Sequence, residues 1–157
     1  MTKRAVCVLI CCIFVTVTLA CKCQFQPAQV SFCKAHWVAH TKIDLRQTKQ
    51  ANPTRKGLNN IRYKVTYGDV FKKPDNISSL PTDIYTPSEP PACGLLLEAG
   101  KEYLLAGRIV NGTATTVLCG QILQDDPEAQ TYEKVLEWGE VAASLKNRLK
   151  IHAFDKC

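Results

Sequence analysis

The feature that most constrains this chain is its cysteine content. Nine cysteines stand in 157 residues, far above ordinary usage, and an odd number cannot all pair within one molecule. Three of them, Cys7, Cys11 and Cys12, fall in residues 1–20, MTKRAVCVLICCIFVTVTLA. That stretch has a basic start at Lys3 and Arg4 and an apolar run from Ala5 to Leu19. Small residues, Thr18 and Ala20, stand just before Cys21. It reads as a secretory signal peptide. The run is short for a membrane span, which needs about 20 apolar residues, and no second long apolar segment follows. A bacterial lipoprotein signal also puts Cys after its cleavage point, but Thr18 stands where that signal usually has Leu. The domain reading is therefore a signal at 1–20 and one folded domain at 21–157, placed outside the cell.

Cleavage there leaves Cys21, Cys23, Cys33, Cys93, Cys119 and Cys157. Six is even and the compartment is oxidising, so three disulfides are expected, with fifteen possible connectivities. A zinc site is the rival reading. Cys21-x-Cys23 lacks the usual ligand spacing, and no paired His tract accompanies the scattered remainder. The whole chain carries +6, with 20 Lys+Arg against 14 Asp+Glu. Removing Lys3 and Arg4 leaves a mild +4 with no basic cluster, which argues against a nucleic-acid partner. A hydrophobic fraction of 46% excludes a fully disordered chain.

Periodicity supplies the elements. In residues 36–46, Trp37, Ala39, Thr41 and Ile43 share one face and Val38, His40 and Lys42 the other, the period of a strand. Residues 61–71 alternate likewise, with Ile61, Tyr63, Val65 and Tyr67 on one face. Residues 47–60 and 72–80 read as polar loops, and Asp83–Thr86 as a short extended piece. The prolines of PSEPPAC, ending at Cys93, bar helix or central strand. Residues 102–119 predict a hairpin turning at Asn111-Gly112, where both residues need positive φ. From 128 to 150 the period changes: Val135, Trp138, Val141, Ala142, Leu145 and Leu149 recur at steps of three and four, an amphipathic helix. Pro127 suits its first turn, with Asp125 and Asp126 as caps. Residues 21–33, stapled by their cysteines, are expected as an extended strip. The fold class is mainly β with a C-terminal helix: about five antiparallel strands in a small closed or partly open barrel, with the helix packed on it.

No enzyme constellation is present: no G-x-S-x-G, H-E-x-x-H or P-loop pattern. His36 and His40 stand four apart, but on a strand that is roughly 13 Å, which suits strand histidines better than a metal pair. If all six cysteines pair, no thiol is left as a nucleophile. The chain reads as a non-enzyme with no cofactor of its own. Asn76-Ile77-Ser78 and Asn111-Gly112-Thr113 are glycosylation acceptors, Asn76 in a loop and Asn111 in its turn.

A mature chain starting at Cys21 would have a second Cys two residues on. Two disulfides would then clamp a free α-amino group, with a reference pKa of about 7.7–8. A neutral amine beside its own carbonyl is a bidentate ligand set, and catalytic zinc keeps one position open. The plainer reading is that Cys21 and Cys23 only staple a loose terminus.

Cys21-Lys22-Cys23, Gln29 and Phe32-Cys33 at this spacing, with the later three cysteines, resemble the tissue inhibitors of metalloproteinases in their N-terminal, netrin-like domain. The resemblance spans nearly the whole mature chain, without the family's second cysteine-rich domain. It implies a five-stranded OB-fold-like barrel with the pairs Cys21–Cys93, Cys23–Cys119 and Cys33–Cys157. It implies a monomer that binds a secreted zinc metalloproteinase in the extracellular matrix and contacts that partner's zinc. Cys21 would chelate the zinc and Lys22 enter the primed-side pocket. Cys23 and Gln24 would continue the contact strip, beside an edge of Pro91, Ala92 and Cys93. The family usually has Thr or Ser where Lys22 stands. Phe25, Pro27 and Ala28 replace its Pro-rich ridge, Pro91-Ala92 often reads Ser-Val, and His36 replaces a frequent Asp. The segment between Cys119 and Cys157 is also longer than usual. These departures leave an alternative, a netrin-like extracellular binding module without metalloproteinase inhibition.

Overall fold

A computed structural model describes residues 21–48, 61–88, 92–125, 134–154 and 157. The signal segment, the 49–60 stretch of the first polar loop, Pro91, Asp126 and Pro127 lie outside them. In chain order the described elements are α1 (Ala28–Lys34), β1 (Trp37–Gln47), β2 (Ile61–Lys72), β3 (Asp83–Thr86), β4 (Glu102–Val110), β5 (Thr113–Thr115) and α2 (Ala143–Lys150), with a 3₁₀ turn at Leu118–Gly120.

The strands close into a barrel in the order β1-β2-β3-β5-β4. Neighbours are antiparallel except β3 and β5, which run parallel. The expected all-antiparallel arrangement therefore fails at one seam, for a simple reason. A closed ring of five strands cannot alternate direction all the way round.

The first half of β1 is buried on both sides. Trp37, Ala39 and Ile43 point into the barrel with Tyr63, Ile84, Leu95, Leu97 and Leu105. Val38 points outward, into a second core with Ala28, Phe32, Leu104, Ile122, Leu145, Leu149 and Phe154. The alternation read from β1 thus separates two cores, one inside the barrel and one between barrel and helices, and β4 divides likewise at Leu105 and Leu104. The hairpin turns where expected: Asn111 has φ 49° and Gly112 φ 75°.

Two further expectations are corrected. The 21–33 strip is extended only to Pro27, after which residues 28–34 form α1. Ala28, Ser31 and Phe32 are its buried residues, a helical 3–4 spacing masked by the surrounding cysteines. The helix starts after Pro27, whose carbonyl accepts from the Val30 and Ser31 amides. Distant side chains hold both ends. The Asp125 carboxylate accepts from the Ala28 amide at 2.8 Å. Lys72 donates to the Phe32 and Cys33 carbonyls at 2.8 and 3.2 Å, a cation where the helix dipole favours one.

The C-terminal helix is the second correction. Residues 128–133 lie outside the described residues, and the helix observed is only Ala143–Lys150. Residues 136–138 are not helical because their backbone pairs with β4: Leu104 N–H donates to Leu136, and Trp138 N–H to Glu102. Val135 and Val141 are buried all the same; the helical period holds at Leu145 and Leu149, and before residue 143 the burial is not helical. Asp125 caps α1 instead of this helix.

Candidate functional site

The residues singled out at the N-terminus come together at one end of the barrel. Cys21 bonds to Cys93 with Cα atoms 5.3 Å apart, and Cys23 to Cys119 with Cα atoms 5.0 Å apart. The third bridge, Cys33–Cys157, fastens the end of α1 to the last residue. The bridges span 72, 96 and 124 residues. Each such cross-link restrains the unfolded chain and contributes on the order of 2–4 kcal/mol.

The first two bridges lie against each other. The four sulfurs of Cys21, Cys23, Cys93 and Cys119 all fall within 4.8 Å. That cluster has the donors of a metal site, but its cysteines are oxidised in pairs, and a disulfide offers no thiolate to a metal.

The two anchors are joined to each other and to the barrel. The Leu118 amide donates to the Cys93 carbonyl at 2.8 Å, which ties the 3₁₀ turn carrying Cys119 to the segment carrying Cys93. Behind the turn sits Gln121, 3% exposed. Its amide group accepts from the Ala106 N–H at 3.0 Å and donates to the Thr116 hydroxyl and the Val117 carbonyl at 2.8 and 2.7 Å. Thr116 donates onward to the Ala106 carbonyl at 2.7 Å.

The segment after Cys93 is strapped in the same way. The Tyr63 hydroxyl, inside the barrel, donates to the Leu95 carbonyl and accepts from the Leu97 amide, both at 2.9 Å. Burial pushes the Tyr63 phenol above its ordinary pKa, so it stays a neutral donor. The Leu95 amide donates to the Thr86 hydroxyl. A Cβ on Gly94 would stand 1.8 Å from the Pro87 carbonyl oxygen, so only glycine lets the two stretches run this close. Cys93 itself has φ 56°, a left-handed conformation that costs a non-glycine residue about 1–3 kcal/mol. The bridge and the hydrogen bonds around it hold that conformation.

From this base the strip presents Lys22 and Gln24 to solvent, with Cys21, Cys23, Ala92 and Cys93 half-buried beside them. Lys22 makes no hydrogen bond or ion pair with any described residue. Phe25, 37% exposed, and Leu96, 74% exposed, add apolar surface nearby in sequence. Pro91, the first residue of the expected edge, is outside the described residues.

The sequence singled out the six cysteines, Lys22, Gln24 and Ala92. It missed Gly94, Gln121, Thr116 and the strap from Tyr63. Gly94 follows a cysteine in a Pro-rich stretch and could have been read as a close approach. A lone Gln gives no such signal.

The other candidates resolve into local roles. His40 bonds to Glu102 at 2.8 Å and stacks on Trp138 with ring centres 4.1 Å apart. The His36 ring meets the Ile109 backbone at 3.3 Å. Asn76 and Asn111 are both exposed, one in the turn after β2 and the other at the hairpin tip. No helix among the described residues is long and apolar enough to cross a membrane.

Comparison with known proteins adds two findings. A family model described as "Tissue inhibitor of metalloproteinase" matches residues 19–137. A protein of Caenorhabditis elegans named "Putative metalloproteinase inhibitor tag-225" is 53% identical over 142 residues, 88% of this chain and 90% of that protein.

Proposed function

The chain belongs to the tissue inhibitor of metalloproteinase family, and from that premise we propose that it is a secreted inhibitor whose mature N-terminus enters the active site of a zinc endopeptidase. Residues 1–20 are removed, and residues 21–157 act as one domain and as a monomer. The observation that carries the reading is the double clamp: Cys21–Cys93 and Cys23–Cys119 fix both ends of a three-residue strip on a braced base.

Once the chain begins at Cys21, its α-amino nitrogen and carbonyl oxygen form a bidentate pair for the partner's zinc and take the place of its water. The zinc belongs to the enzyme, and the inhibitor brings no cofactor and catalyses nothing. A clamped strip loses little conformational freedom on binding, which is how a small contact becomes a tight one. Lys22 is the side chain directed to the primed-side pocket. Cys23 and Gln24 continue the contact, and Pro91, Ala92 and Cys93 form its second edge. Asn76 and Asn111 carry N-linked glycans on the secreted form.

The test has two parts. N-terminal sequencing of secreted protein should return Cys21 first. One alanine added before Cys21 should then abolish inhibition across a panel of secreted zinc endopeptidases, because it moves the amine off the metal. Equal inhibition by the extended form would sink the chelation mechanism. Lys22 is the observation that favours the second reading, a netrin-like binding module. That reading takes over if the correctly processed protein and its Lys22→Thr variant both leave the whole panel uninhibited.

A further inference from the structure

Behind the Cys23–Cys119 bridge lies a cleft of about 310 Å³, walled by α1, the β4–β5 hairpin and the 3₁₀ turn. Its floor is apolar, with Ala35, Gly107 and Val117 in the lining. One hydroxyl opens onto it. Ser31 is 8% exposed and lines the cleft, yet its hydroxyl makes no hydrogen bond with any described residue. That hydroxyl is open to the cleft and free to meet a ligand atom.

The charges at the rim have one sign. Lys34 and Arg108 both line the cleft, and no carboxylate is among the described lining residues. Among the described residues Lys34 reaches only the neutral Gln26 amide, at 2.9 Å. The Arg108 guanidinium has no hydrogen-bond or ion-pair partner among the described residues. An arginine with a free fork beside a lysine is suited to a planar carboxylate or a sulfonate.

We propose that this cleft is a binding site for a small amphipathic anion: an aromatic or short aliphatic body on the apolar floor, with a carboxylate or sulfonate between Arg108 and Lys34. Ser31 donates to the same ligand. The cleft is at the small end of ligand pockets, about 300–1,000 Å³, which sets the scale of a single ring system and its acid group. The site does not depend on the inhibitor reading, although it shares the Cys119 turn with the N-terminal strip.

The test uses the intact, disulfide-bonded protein and two probes. One is 8-anilinonaphthalene-1-sulfonate, and the other is N-phenyl-1-naphthylamine, nearly the same body without the anion. The sulfonate should bind saturably at one site and shift the backbone amide resonances of Ser31, Arg108, Thr115 and Gly120. The neutral probe should bind at least about tenfold more weakly. The double variant Lys34→Gln, Arg108→Gln should lose at least about tenfold for the sulfonate with an unchanged circular dichroism spectrum. Ser31→Ala should weaken it by a smaller factor. The proposal is overturned by no saturable binding up to about 1 mM, by shifts that cluster elsewhere, or by equal binding of the two probes. Undiminished sulfonate binding to the folded double variant also overturns it.

Discussion

The Asp125 carboxylate caps the first helix from 97 residues away, through a 2.8 Å hydrogen bond from the Ala28 amide. Its second oxygen pairs with Arg148 of α2. One side chain therefore joins the end of the N-terminal strip to the C-terminal helix. The Ala28 bond first, and then Arg148, hold its carboxyl below the ordinary value, against opposing desolvation. A depressed folded-state value means the stabilisation is full above the unfolded value of about 3.9 and is lost as pH falls through the lower folded one. Asp125→Ala should cost about 1 kcal/mol at pH 7, the usual cost of a lost cap, or roughly 2–4 °C in melting temperature. The gap between wild type and variant should close as the pH falls through the depressed folded-state value. A gap that persists unchanged in acid would show that the carboxylate is not its source.

Gly94 and Gly112 test how strongly the site depends on its base. A methyl at Gly94 would overlap the Pro87 carbonyl, whereas one at Gly112 meets nothing within 4 Å. Gly112→Ala should cost about 1 kcal/mol for its φ of 75° and leave protease inhibition unchanged. Gly94→Ala should cost at least about 2 kcal/mol. It should also weaken inhibition at least about tenfold, because the displaced backbone is the one that carries Cys93. Melting curves and inhibition constants for the pair check this. Equal loss of inhibition in both would mean that the position of Cys93 is not what matters.

The Tyr63 strap makes a sharper stability claim. Tyr63→Phe keeps the ring but leaves the buried Leu95 carbonyl and Leu97 amide without the partner they share. The expected cost is about 1–3 kcal/mol, read from chemical denaturation with the disulfides intact. Amide exchange at Leu97 should rise more than exchange in β1. Uniform change across both would mean that the hydroxyl stabilises the barrel generally and not the segment leading from Cys93.

Much of this architecture is legible in the sequence, and the reason differs by element. β1 and β2 show a period of two because alternate residues of each enter the barrel interior. Asn111-Gly112 is local chemistry, so it can be read locally. The six cysteines give a framework, and their connectivity came only with a family resemblance. What failed was set by long-range partners. α1 owes its ends to Asp125 and Lys72, both far off in sequence. Residues 136–138 are claimed by pairing to β4, which a period count cannot see. Gln121 looks ordinary in the chain and becomes a three-way brace only once Ala106, Thr116 and Val117 surround it.

If the Cys21 amine is the zinc ligand, inhibition must follow its protonation. The neutral amine binds metal and the ammonium does not. With a reference pKa of about 7.7–8, affinity should weaken as pH falls through that range, approaching tenfold per unit below it. The protease's own active form sets the acid limit of the measurement. A flat inhibition constant from about pH 8 to 5.5, with the enzyme still active, would count against the amine.

If Lys22 enters the protease pocket, it decides which protease the clamp fits. Its ammonium is exposed and meets no described partner in the free protein, so binding alone determines its cost. An apolar pocket would strip its water for no return, a cost of several kcal/mol unless the stem lies in the pocket and the charge reaches solvent. A pocket with a carboxylate at its base would turn that cost into a charge-assisted contact. Lys22→Thr should therefore tighten inhibition of enzymes with apolar primed-side pockets by about tenfold or more, and weaken inhibition of those with acidic ones. The exchange lies on the exposed strip, so melting temperature should stay within about 1 °C. Inhibition constants for both proteins against enzymes of each kind separate the cases. If the substitution changes neither set, the second residue does not enter the pocket.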